Sequence, residues 1–165
     1  MRGWSAALVI ALGALVPSGA SAQRAQVLFA QGQWAALKFG PRCEAVARPL
    51  LPSARRQPAA RAGFGFDIAG PRRGEFHALL SRVTRTGSSV ILTIGERPFM
   101  LLARGDHAWS RGALQEAAII AAARGARSMR IEARDSAGRR FADRYLLEGA
   151  PTAIDAAAAA CAGKI

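Results

Sequence analysis

Residues 128–161 constrain the chain more than any other stretch. Met129, Ile131 and Ala133 alternate with Arg130, Glu132 and Arg134, the period-two pattern of a half-buried strand. Asp135-Ser136-Ala137-Gly138 then supplies a turn. Phe141, Tyr145 and Leu147 line one face of a returning strand, with Asp143 interrupting that face. Gly149 and Pro151 stop the strand, and an alanine-rich helix carrying Cys161 follows. A hairpin of this size is only marginally stable alone. Its apolar face therefore needs a partner from the rest of the chain.

The first residues read as an export signal. Met1-Arg2-Gly3 is a short positive start, and Ala6 to Val16 is an uncharged apolar run too short to span a bilayer comfortably. Pro17 breaks the run, and Ala20-Ser21-Ala22 has the small-x-small form of a cleavage site. The expectation is a signal peptide over 1–22, cleaved after Ala22, and one β-rich domain over 23–165. No later stretch is apolar and long enough to cross a membrane, so the mature chain is expected to have no transmembrane segment. Cys43 and Cys161 are the two cysteines of the sequence. Two thiols in an exported chain are expected to pair, closing nearly the whole domain. No CxxC is present, and neither His77 nor His107 stands at metal-ligand spacing from a cysteine, so no metal or other cofactor is expected.

Between the signal and the hairpin the chain reads as short strands and turns. Gln33–Phe39 and Cys43–Ala47 are expected strands around Gly40-Pro41. Residues 48–62 are rich in Pro, Arg and Ala, and an exposed basic loop is expected there. Gly63–Ile68 alternates glycine with large side chains and reads as an edge or curved strand. Glu75–Val83 follows as another strand. Ser89–Ile94 and Pro98–Leu102 form a hairpin whose Gly95-Glu96 turn suits type II′. A helix is expected over 111–124, capped by Ser110, with Leu114, Ala117, Ala118 and Ala121 on its buried face and Ile119 and Ile120 widening it. A second is expected over 152–162, with a Thr152/Asp155 capping box and with Ile154, Ala158 and Cys161 inward. Many strands and two short helices predict a mainly β domain, an antiparallel β-sandwich or a strongly bent sheet.

The motifs exclude more chemistry than they support. There is no GxSxG elbow, Walker loop or GxGxxG. Asp106 beside His107 is the sole adjacent acid–imidazole pair, so a hydrolase built on the His107 loop is the weakest alternative. The net charge of +12 invites a nucleic-acid reading. Export argues against that partner, as does the lack of aromatics interleaved with the basic residues. Lysine occurs only at 38 and 164 and asparagine is absent, which ties part of the arginine content to genome composition. A sharper candidate is Arg130, Arg134, Arg139, Arg140 and Arg144 in the hairpin. The alternating strand puts Arg130 and Arg134 on one outward face, with the turn arginines nearby. Guanidinium forks suit phosphate or carboxylate. In a bacterial envelope these belong to anionic lipid, lipopolysaccharide or an acidic protein.

Trp34 shortly before Cys43, the hairpin VILTIGERPFMLL, the helix ALQEAAIIAAARG leading into SMRIEARDSAGRRF, and the closing YLLEGAPTAIDAAAAAC together resemble the invasion-associated locus B proteins of alphaproteobacteria. The likeness covers most of 23–165 and is clearest from Ser89 onward. It implies a periplasmic or envelope-associated β-sandwich, linked in that family to host-cell invasion or outer-membrane function. The family has no established enzymatic mechanism and no defined active site to transfer. The sequence thus points to a non-enzymatic, disulfide-closed envelope protein that binds an anionic surface or a protein partner. The alternative is an inhibitor or assembly module that pairs through an exposed strand edge around Gly63–Ile68.

Overall fold

The computed structural model describes residues 24–51 and 59–162. The expected signal peptide and cleavage site, and residues 52–58 of the expected loop, lie outside that range. The elements are β1 (Gln26–Gln31), β2 (Trp34–Phe39), β3 (Arg42–Ala47), β4 (Arg61–Asp67), β5 (Arg73–Leu79), β6 (Val90–Ile94), β7 (Arg97–Arg104), β8 (His107–Trp109), α1 (Ala113–Gly125), β9 (Ser128–Arg134), β10 (Arg140–Leu146) and α2 (Ala150–Cys161). All strand pairs are antiparallel, and the order across the sheet is β1-β2-β3-β4-β5-β8-β7-β6-β9-β10. The protein is mainly β, as the sequence predicts.

Tight turns drive the meander. Ile94 pairs with Arg97 across Gly95-Glu96, and Gly95 alone takes positive φ, +57°, as type II′ geometry requires. Gly32-Gln33, Gly40-Pro41 and Gly105-Asp106 repeat the same two-residue pattern. The first of these splits the entry to the domain into two strands where the sequence shows one.

β7 joins the two halves of the sheet. Its Arg97–Leu101 portion pairs with β6, and Leu102–Arg104 pairs with β8. The sheet bends strongly enough that β10 returns to the β2–β3 side. Trp34 Nε1 donates to Leu146 O at 2.8 Å, and Leu50 N donates to Arg144 O at 2.8 Å. The enclosed core is continuous. Trp34, Phe64 and Phe76 from one half meet Leu92, Ile131 and Tyr145 from the other, all with almost no exposure.

The helices cover the inner face. α2 packs on β2 and β3, where Ala36, Ala45 and Ala47 face Ala150, Ala153 and Ala157. Small side chains on both surfaces let helix and sheet approach closely. Cys161 on α2 and Cys43 on β3 are consequently brought to a Cα–Cα distance of 5.9 Å and form a disulfide across 118 residues of sequence.

Several expectations are corrected. Gly63–Ile68 is not an edge: β4 pairs along its length with both β3 and β5. Neither helix has a side-chain cap. Gly112 and Gly149 occupy the N-cap positions instead. The Ser110 hydroxyl is engaged elsewhere, accepting from Phe76 N and donating to Glu116 Oε1 at 3.2 Å each. Asp155 pairs with Arg124, which ties α2 to α1. The buried face of α1 is Ile119, Ala122 and Ala123, whereas Leu114 is 92% exposed.

β10 carries two polar groups into the core. Asp143 faces inward and accepts Ser81 N–H at 2.8 Å. The Tyr145 hydroxyl is buried without a hydrogen-bond partner. Burial pushes its ionisation well above the usual phenol range, and the Asp143 carboxylate adds to the shift. Above about pH 10 the unfolded phenol ionises while the folded one stays protonated. Tyr145 therefore leaves stability unaffected below pH 10 and removes about 1.4 kcal/mol per pH unit above it. Denaturant titrations of the parent and Tyr145→Phe between pH 9 and 11 should show this slope in the parent only. Equal slopes would refute it. Tyr145 is the single tyrosine of the sequence, so phenolate absorbance should appear only with alkaline unfolding.

Candidate functional site

The β9–β10 hairpin builds the face with the clearest chemistry. Alternation sends Met129, Ile131 and Ala133 inward and leaves Ser128, Arg130, Glu132 and Arg134 outside. On β10 the outward residues are Arg140, Ala142, Arg144 and Leu146. The register sets Arg130 opposite Arg144 and Arg134 opposite Arg140. Four of the five arginines singled out from sequence thus share one face, as two directly opposed pairs. Like charges opposite one another across strands oppose folding. An anion between them reverses the sign of that interaction.

Each arginine pair borders a shallow depression supplied with hydroxyls. Arg130 and Arg144 line one of about 210 Å³ together with Thr93 and Ser128. Arg134 and Arg140 line another of about 430 Å³ with Ser88 and Ser89. Arg130 Nε donates to Glu132 Oε2 at 2.9 Å, and one terminal nitrogen of Arg134 donates to Gly138 O at 2.9 Å. Among the described residues, Arg140 and Arg144 form no ion pair. Two guanidiniums are therefore fixed and two are available. The arrangement can receive the oxygens of a phosphate or carboxylate from both strands and from the flanking hydroxyls.

Arg139 does not belong to this face. Its Nε lies 3.1 Å from Asp135 Oδ2, where Arg82 also donates at 2.9 Å. Asp135 Oδ1 accepts the N–H groups of Ala137 and Arg139 at 3.0 and 2.9 Å. Burial pushes this carboxyl up, but the hydrogen bonds from Arg139 and Arg82 outweigh it and hold the group below the usual carboxylate range. The odd number of turn residues and the Asp135 anchor remove Arg139 from the outward set. Asp135 itself was legible only as a turn residue.

A second cluster joins the His107 loop to His77 on β5. His77 pairs across β4 with Gly63 and across β8 with Trp109. A depression of about 270 Å³ on the outer face gathers Arg61, Glu75, His77, Leu79, His107 and Trp109. His77 has a buried Nδ1 without a hydrogen-bond partner. Burial disfavours its protonated form, against the opposing pull of the Glu44 and Glu75 carboxylates. His107 Nε2 lies 3.5 Å from Asp106 Oδ1. The residues lining the depression include no serine, threonine or cysteine to act as a nucleophile beside these imidazoles. Arg72 lies nearby over Gly65, held by Asp67 at 2.6 Å and 3.7 Å from Glu44. Glycine at 65 provides the space, since a Cβ there would come within 2.8 Å of the guanidinium.

Among the described residues, no group of three or more His, Cys, Asp or Glu is arranged to hold a metal, and no helix is long and apolar enough to cross a membrane. No protein-family model, curated protein or solved structure matches this chain.

Proposed function

We propose that this is a non-enzymatic, exported envelope protein, in the manner of the invasion-associated locus B proteins, that docks on a phosphate-bearing anionic surface through the outer face of β9 and β10. One observation carries the reading: two cross-strand arginine pairs share a face, each beside hydroxyl side chains, and Arg140 and Arg144 have no acidic partner among the described residues. The Cys43–Cys161 disulfide supports an oxidising compartment. Lipid headgroups are the favoured source of phosphate, because both pairs lie on one open surface rather than in a closed pocket.

Flotation with vesicles containing phosphatidylglycerol tests the proposal. Binding is expected to fall as salt rises and to be absent on phosphatidylcholine alone. An arginine near an anionic bilayer contributes about 1 kcal/mol, so Arg140→Gln with Arg144→Gln should lower partitioning about 30-fold. Both side chains are outward, so the variant should keep the parent's fold. Unchanged partitioning by the double variant would overturn the docking face.

A further inference from the structure

The outer face does not end at the arginines. Following the register across the sheet, Arg144, Arg130, Thr93 and Pro98 form one row, and Ala142, Glu132, Ile91 and Met100 form the next. β6 and β7 are the third and fourth strands from the β10 edge. Neighbouring strands are about 4.8 Å apart, so Met100 stands about 10 Å from the β9 row. On β7, Phe99 and Leu101 turn into the core, whereas Pro98, Met100 and Leu102 turn out. Met100 is 49% and Leu102 41% exposed.

The strip continues onto α1. Arg111 Nε and Gln115 Nε2 both donate to Met100 O at 3.0 Å, which brings the start of the helix against β7. Leu114, between these two residues, is 92% exposed. A lone exposed leucine is ordinary, but a run of large apolar side chains beside a charged face is informative. Arg97, Arg104 and Arg111 rim the strip, and none has a carboxylate partner among the described residues. Of the acidic residues in these strands and their turns, Asp135 and Asp143 are buried, Asp106 lies beside His107, Glu132 is paired with Arg130, and Glu96 is exposed.

We propose that Pro98, Met100, Leu102 and Leu114 enter the headgroup layer of an anionic bilayer while the β9–β10 arginines hold lipid phosphates. This inference rests on the docking reading above. A bilayer offers, in one occupant, a plane of phosphates over an apolar layer, the order in which this face presents guanidiniums and methyl groups. Surface-bound segments bury their apolar side to about 5–10 Å, and arginine stems lie along apolar surface while their heads stay with phosphate. An acidic protein would match the charges but would need its own apolar patch at the same offset.

The test uses Leu114→Trp, a substitution at a side chain with almost no neighbours to disturb. The remaining tryptophans are common to parent and variant, so the difference spectrum isolates position 114. On phosphatidylglycerol vesicles its emission should shift to the blue and be quenched by lipids brominated near the top of the acyl chain. The triple variant Met100→Ser, Leu102→Ser, Leu114→Ser should partition at least about tenfold more weakly at fixed salt, with its salt dependence retained. A bound Leu114→Trp protein with unshifted emission, or a triple variant that partitions like the parent, would overturn insertion and leave arginine docking standing. Failure of the parent to bind these vesicles, with capture by an acidic polypeptide instead, would overturn both.

Discussion

Removing the Cys43–Cys161 disulfide is expected to lower the unfolding free energy by about 5 kcal/mol. The bond closes a loop of 118 residues, and a cross-link of that span removes about this much from the unfolded chain in the entropy model. Small domains have about 5–15 kcal/mol in total, so the reduced protein should stand near the edge of folding. Cys43→Ala with Cys161→Ala is the suitable variant, because both sites are buried and serine would place unpaired hydroxyls there. Urea unfolding of the double variant, compared with the oxidised parent, gives the difference directly. A loss below about 1 kcal/mol would refute it and would show that packing of α2 on β2 and β3 suffices.

Phe64→Ala should come next, at about 3–5 kcal/mol. Phe64 is fully buried on β4, with its ring centroid 6.1 Å from Trp34 and 5.5 Å from Phe76 in an edge-on contact. Truncation removes the middle ring of this trio. The site has little freedom to collapse, because β4 is paired on both sides and Trp34 is fixed to β10 through Leu146 O. Leu114→Ala on the exposed first turn of α1 is the matching control and should change stability by less than about 0.5 kcal/mol. Equilibrium denaturation of both variants decides the matter. Equal stabilities would mean that the aromatic trio contributes no more than a surface leucine.

The parts of this fold that were legible are those fixed by local pattern. The alternation from Ser128 to Arg134 gives the strand, its inward face and the outward positions of Arg130 and Arg134. Glycine at the first turn position locates the β6–β7 hairpin, and cysteine usage identifies the disulfide. What escaped was decided by partners distant in sequence. Glycines at 63 and 65 suggest an edge strand, yet they are buried on an interior one, where Ala45 O leaves no room for a Cβ at 63 and Arg72 occupies the space above Gly65. Ser110 has the chemistry of a helix cap, but Phe76 N, on a different strand, engages its hydroxyl. The buried stripe of α1 was rotated for a related reason. Alanine and isoleucine recur so densely there that several faces look apolar, and β5 selects the one carrying Ile119, Ala122 and Ala123. For the site, parity along the hairpin separates Arg140 and Arg144 from Arg139 only once the Asp135 anchor is known. The strip at Met100 and Leu102 was hidden inside a run that reads as uniformly apolar core.

The bond between β3 and α2 also has a temporal meaning. Residue 161 is made 118 residues after residue 43, so the covalent clasp cannot close until every element from β3 to α2 has been made. Until then the alanine-lined inner surface of β2 and β3 lacks its lid. A product cut short before Cys161 would stay in that unlidded condition. Arrival of α2 is thereby coupled to closure of the domain.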